Sequence, residues 1–168
     1  QKVFISSIEN QLKEGNLKKA LYKLKNLKVL LIGETILDQY VFTDALGKSG
    51  KEPVLAFREL NSEQYVGGAA AVANHLSSFC KNITLLSALG EKGEHENYFK
   101  KNLAKNVNAE FIYKSDSPTI LKKRFIDVVT NNKTLGVYSI NDESLQKNDE
   151  RKFIQIIKKK IKRHDLVL

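Results

Sequence analysis

Two continuous apolar runs, each closed by glycine, constrain this chain more than any other feature. Leu27-Lys28-Val29-Leu30-Leu31-Ile32-Gly33 and Ile83-Thr84-Leu85-Leu86-Ser87-Ala88-Leu89-Gly90 lack in–out alternation, the pattern of strands buried on both faces of a parallel sheet. Between them, Val66-Gly67-Gly68-Ala69-Ala70-Ala71-Val72-Ala73-Asn74 opens a glycine pair into an alanine-rich helix expected over 68–79. Strand, helix and strand in this order make a parallel crossover. The glycine pair permits a sharp turn and lets a ligand approach the backbone and the N–H groups of a helix start. The same residues also let a helix sit tightly against a sheet, and spacing alone leaves both readings open.

The remaining elements extend an α/β pattern. Residues 93–104 read as a polar-faced helix and residues 107–113 as a strand leading to the turn Ser115-Asp116-Ser117-Pro118. Thr119-Ile120-Leu121-Lys122-Lys123-Arg124-Phe125-Ile126-Asp127 and Thr134-Leu135-Gly136-Val137-Tyr138-Ser139-Ile140 flank Asn131-Asn132-Lys133 and predict a hairpin. Alternation places Lys122 and Arg124 on one strand face, where they can hold a phosphate or stand as solvated charges. Residues 147–163 predict a helix with Phe153, Ile154, Ile157 and Ile161 inward and a basic outer face, and Asp165-Leu166-Val167-Leu168 begins another parallel strand. Residues 40–65 leave the sheet as short β pieces, Tyr40-Val41-Phe42 and Pro53-Val54-Leu55-Ala56-Phe57-Arg58-Glu59-Leu60. Residues 1–26 read as an amphipathic helical leader with Val3, Phe4, Ile8 and Leu12, then Leu17, Ala20, Leu21 and Leu24, at helical spacing and a break at Gly15-Asn16. A start without methionine and a stop inside a buried strand are expected from a polypeptide cut at both ends, with residues 27–168 as one part of a larger domain.

Several chemistries are excluded by what the motifs lack. A dinucleotide site would follow the first strand with G-x-G-x-x-G, but Gly33 is followed by Glu34-Thr35-Ile36-Leu37-Asp38 and no glycine until Gly47. Gly47-Lys48-Ser49 imitates the end of a P-loop, yet Phe42 stands where the leading glycine belongs. What remains is Asp38, just past the carboxyl end of the first strand, where open α/β sheets bind ligands and a carboxylate can accept two hydroxyl hydrogen bonds. Cys80 is the single cysteine, and no metal-ligand spacing links it to His75, His95 or His164. No apolar run approaches the ~20 residues of a membrane span, and no signal-peptide core is present, so the sequence reads as cytoplasmic with no membrane partner. The net charge of +9, from 28 Lys and Arg against 19 Asp and Glu among 168 residues, is scattered over helices and loops without interleaved aromatics. No nucleic-acid partner is therefore expected, and salt-sensitive nucleic-acid binding ranks last among the readings.

The ordered series Gly33-Glu34-Thr35-Ile36-Leu37-Asp38, a β excursion, Gly67-Gly68-Ala69-Ala70, Gly90-Glu91-Lys92-Gly93, and Pro118-Thr119-Ile120-Leu121-Lys122-Lys123-Arg124 resembles the N-terminal half of ribokinase-like (PfkB) carbohydrate kinases. It is most similar to the heptose 7-phosphate kinase domain of bifunctional ADP-heptose synthases. The resemblance implies a Rossmann-type parallel sheet flanked by helices, with a small β lid formed from residues 40–65 and 119–140. It implies that Asp38, Gly67 and Gly68 contact sugar hydroxyls and that Lys122 and Arg124 face the substrate or its phosphate. It also implies ATP and Mg as cofactors of the complete kinase, a possible fused nucleotidyltransferase, and dimers through the lid or an exposed sheet edge.

Two departures from the family pattern matter. Ala71 stands where the family usually has asparagine, with Asn74 one turn later. The G-A-G-D signature that carries the catalytic base is absent, so no residue of this chain is assigned as catalytic, and the chain alone is expected to bind no cofactor and transfer no phosphate. A non-catalytic sugar-sensing or dimerising module on the same fold is the alternative.

Overall fold

The computed structural model describes residues 14–168. A helix α1 (Glu14–Asn26) leads into β1 (Lys28–Ile32), β2 (Thr35–Lys48) and β3 (Leu55–Gly67), followed by α2 (Gly68–Leu76) and β4 (Asn82–Gly90). The chain continues through α3 (Glu96–Asn102), β5 (Val107–Lys114), β6 (Leu121–Asp127), β7 (Lys133–Ser139), α4 (Lys147–Ile161) and β8 (Leu166–Val167). The described residues form an all-parallel sheet of order β5-β4-β1-β8 and a second sheet of order β3-β2-β6-β7. The first is the expected α/β parallel sheet, and the second is built from the segments expected to form a β lid and is called the lid for its place in the fold.

The parallel sheet forms because its central strands have apolar residues on both faces. Val29, Leu30, Ile83, Leu85 and Leu86 are all at most 2% exposed. On one face α2 sets Ala69, Ala70 and Ala73 against Val29, Leu31, Ile83 and Leu85, and Cys80 closes the same cluster. Alanines bring the helix axis close to the strands, and Cys80 is buried as a small apolar group.

The lid differs from its sequence expectation in extent. The short pieces predicted within 40–65 are two long strands, of 14 and 13 residues, joined as one hairpin across the turn where the Ser49 N–H donates to the Val54 carbonyl. The lid therefore begins at Thr35, and Asp38 lies within β2 rather than in a loop. Polar runs such as Asn61-Ser62-Glu63-Gln64 hide the strand period because this part of the sheet is exposed, and β-bulges interrupt the register at Phe42/Thr43 and Ala45/Gly47. The hairpin β6–β7 forms as predicted. Asn131 takes the left-handed conformation in its turn, and the carboxylate of Asp127 caps the N–H groups of Val129 and Thr130.

Two other expectations change. Helix α1 runs through Gly15 and Asn16, so the break predicted there is absent, while the predicted leader residues 1–13 lie outside the described residues. On α4, Phe153, Ile156 and Ile157 form the half-buried side, whereas Ile154 and Ile161 are 41% and 45% exposed. The helix leans on edge strand β5, with Lys160 paired to Glu110 at 2.6 Å, so only a narrow stripe of its apolar face is covered. Leu166 and Val167 do form the predicted parallel strand, paired with β1, but as an exposed edge strand rather than a buried one, because no further strand or helix among the described residues covers it.

The lid is fastened to the sheet by a polar knot at the carboxyl end of β4. The hydroxyl of Thr119, which precedes β6, accepts from the Gly90 N–H at 2.9 Å and donates to Glu94 at 3.1 Å. The Glu94 carboxylate also accepts from the Thr119 N–H. Nearby, Asp149 in the first turn of α4 accepts from the Ser115 N–H at 3.0 Å. Hydrogen bonds from its own N–H and from Thr119 hold Glu94 below its ordinary 4.5, and those from Ser115 hold Asp149 below 3.8. A depressed folded value stabilises fully above the unfolded value, and the contribution is lost as pH falls through the folded one. Thermal unfolding followed between about pH 6 and about pH 3 should therefore show a midpoint that falls below the ordinary carboxylate range, with a shallower fall in Glu94→Gln. An identical acid profile in that variant would contradict the anchoring role.

Candidate functional site

The short link Gly33-Glu34 turns the chain from the end of β1 into the lid, and the expected site residues stand on β2, on β6 and at the passage from β3 into α2. Asp38 is the fourth residue of β2, aligned with Tyr65 on β3 and with Lys122 on β6. Because β2 and β6 run parallel in matched register, Asp38, Tyr40, Lys122 and Arg124 project from one face of the lid. Lys122 and Arg124 share the face that alternation predicted.

The glycine pair is explained by two close approaches. A Cβ on Gly67 would lie 2.2 Å from Oδ2 of Asp38, so the carboxylate rests on bare backbone. Gly68 has φ +60°, in the left-handed region, and a Cβ there would lie 2.3 Å from the Glu34 carbonyl oxygen. Gly67 precedes the first turn of α2, and the Ala69 N–H donates to the Glu34 carbonyl at 2.8 Å. Packing and ligand approach thus share the same residues: the pair lets β3 pass into α2 against β2 and leaves Asp38 beside the helix start.

Arg124 forms an ion pair with the free side of Asp38, and both side chains are about one-fifth exposed. The Asp38 hydrogen bond raises the Arg124 guanidinium still further above its ordinary value. The pair projects from the face of the lid opposite to Leu37, Val66 and Leu121, which pack with buried Leu89 and Phe99 between lid and sheet. Tyr40 packs edge-on against Tyr65, with ring centroids 5.8 Å apart, and the Tyr65 hydroxyl donates to Glu63. The result is a carboxylate, two cations and two tyrosines on one face of the lid, with the carboxylate beside the start of α2. A carboxylate accepts hydroxyl hydrogens and paired cations receive an anion, so the group suits a polyol bearing negative charge.

Asn74 is excluded from this group. Its side chain donates to the Asn102 carbonyl at 2.9 Å and accepts from the Ala104 N–H at 2.8 Å, tying α2 to the end of α3. It does not replace the asparagine that Ala71 lacks. Tyr40 and Tyr65 were missed in the sequence; a tyrosine on a half-exposed strand carries no functional signature, and only the strand register sets Tyr40 beside Arg124 and Tyr65 beside Asp38. Among the described residues no group of three or more His, Cys, Asp or Glu could hold a metal ion, and no helix is long and apolar enough to cross a membrane.

Comparison with known proteins gives a consistent result. No family model matches the chain. The bifunctional protein HldE of a Nitratiruptor species is 26% identical over 141 residues, which is 84% of this chain and 30% of that protein. The D-beta-D-heptose 7-phosphate kinase of Bordetella bronchiseptica is 26% identical over 104 residues, 62% of this chain and 33% of that protein. A possible 1-phosphofructokinase from Thermotoga maritima superposes with a TM-score of 0.61 at 17% identity, over 83% of this chain and 43% of that one. The chain spans about a third of the length of these curated relatives.

Gly67→Ala should drive the Asp38 carboxylate off the backbone and cost about 1–3 kcal/mol in urea unfolding, whereas Gly50→Ala, with nothing within 4 Å of the new methyl group, should stay within about 0.5 kcal/mol. Equal effects at the two positions would refute the close-packed role of Gly67.

Proposed function

We propose that this chain, which has the ribokinase-like fold and sequence relatives among heptose 7-phosphate kinases, is the substrate-binding and lid part of an ATP-dependent sugar or sugar-phosphate kinase. The observation that carries the reading is the Asp38 carboxylate seated on Gly67 with Arg124 and Lys122 above it on the lid strand. In this reading Asp38 and the backbone at Gly67 and Gly68 take ring hydroxyls, and the two cations take a phosphate already on the sugar. A hydroxyl so held would be presented to the γ-phosphate of ATP in the complete protein. Phosphoryl transfer depends mainly on positioning and charge stabilisation, and this chain's part is the acceptor side of that arrangement. ATP and Mg belong to the complete protein in this reading.

The lid supports a second element of the proposal, association with another copy. Leu135 and Val137 alternate on the exposed edge strand β7 at 53% and 51% exposure, with Ile140 just beyond its end at 39%. An unpaired edge with alternate apolar residues favours pairing with a like strand. Light scattering should show mass rising with concentration, and Val137→Lys should hold the chain monomeric. A monomer at all concentrations would remove this element and leave the sugar site untouched.

Ala71 favours a second reading, a sugar sensor that binds without catalysis. Calorimetric titration with a panel of sugars and sugar phosphates, heptose 7-phosphate included, should give saturable binding that is lost in Asp38→Ala and weakened about tenfold or more for phosphorylated ligands in Arg124→Ala. Binding to none of them would contradict both readings. Phosphate transfer by the full-length protein separates them: transfer to a bound sugar supports the kinase, and binding without transfer supports the sensor.

A further inference from the structure

Lys122 and Arg124 are long, flexible cations two residues apart on the same strand face, and in a bare strand their like charges would swing them apart into solvent. In this lid they converge. The Lys122 ammonium lies 5.8 Å from the centre of the Tyr138 ring, and the Arg124 guanidinium lies 5.9 Å from the same ring and 5.6 Å from that of Tyr40.

Register and one glycine explain the convergence. Tyr138 on β7 stands opposite Lys122, and Gly136 stands opposite Arg124. The Tyr138 ring lies back along β7 over Gly136, where a Cβ would come within 2.9 Å of the tyrosine oxygen and 3.0 Å of the carbon that bears it. The ring thus fills the space a side chain at 136 would take and offers its face to both cations. Asp38 neutralises one of the two charges, and the other remains for a ligand.

We propose that Tyr138, seated over Gly136, is a positioning residue that aims Lys122 and Arg124 together at the anionic group of a ligand, so that the site prefers a phosphorylated polyol to its unphosphorylated form. The ligand class rests on the sugar-kinase reading; the placement of the cations does not.

The test uses the full chain with Tyr138→Phe, Tyr138→Leu and Gly136→Ala, the last of which displaces a ring tip rather than backbone. The first readout is the side-chain Nε–H resonance of Arg124 in the free protein, which a stacked ring shifts. The second is the affinity for a hexose 6-phosphate against the parent hexose. Tyr138→Phe should preserve both. Tyr138→Leu and Gly136→Ala should abolish the ring shift and weaken hexose 6-phosphate binding about tenfold, with hexose binding unchanged.

An unmoved Arg124 resonance in Tyr138→Leu and Gly136→Ala would overturn the proposal, as would an equal weakening of both ligands, which marks a merely structural role. Loss in Tyr138→Phe would overturn the stacking by assigning the effect to the hydroxyl. If the wild-type chain binds neither sugar, the sugar-kinase reading fails, and the Arg124 resonance alone decides whether Tyr138 positions the cations.

Discussion

A carboxylate resting on bare backbone ties together three strands of the second sheet at the start of α2. Asp38 can lie flat on β3 because residue 67 has no side chain, and it can hold Arg124 because β2 and β6 run parallel in register. Both neighbours of β2 in the lid are therefore locked by one side chain, from β3 through close packing and from β6 through charge. Beneath it the buried cluster of Leu37, Leu89 and Phe99 supplies the apolar contact between lid and sheet. Beside it the Gly90–Thr119–Glu94 knot satisfies polar groups that the crossing from sheet to lid would otherwise leave buried.

In the proposed reading, this sharing makes stability and binding depend on the same atoms. The groups suited to a polyol phosphate already satisfy one another: Asp38 with Arg124, Arg124 with two tyrosine rings, Lys122 with one. A ligand that takes Arg124 must return to Asp38 the hydrogen bonds it loses, and sugar hydroxyls have the chemistry to do so. The outer lid carries no comparable apolar core, since all of β7 and most of β3 are exposed. The lid is thus held chiefly at its base, where the proposed site is.

Much of this arrangement was legible in the sequence because it rests on patterns of period and punctuation. The buried strands around Leu30 and Leu85, the glycine-led helix between them, the hairpin at Asn131 and the shared face of Lys122 and Arg124 all follow from runs, glycines and alternation. The length of β2 and β3 was not legible, because solvated strands keep no hydrophobic period. Asp38 reads as lying beyond a strand because Gly33 looks like the start of a loop, whereas the chain turns within two residues and resumes as β2. Ile154 and Ile161 read as inward because helical spacing records an apolar face but not how much of it a neighbour covers. Tyr138 and Gly136 were invisible as a pair, because their meaning lies in a cross-strand register that sequence does not state.

The most direct test of the account is amide hydrogen exchange of the chain with and without a saturating sugar phosphate, read residue by residue. The account predicts added protection confined to Gly67, Gly68 and Ala69 at the helix start and to the β2 and β6 amides around Asp38 and Arg124. No added protection there, or protection centred on α4 or the outer parallel-sheet edge instead, would contradict the claim that the Asp38–Gly67–Arg124 junction is the binding site.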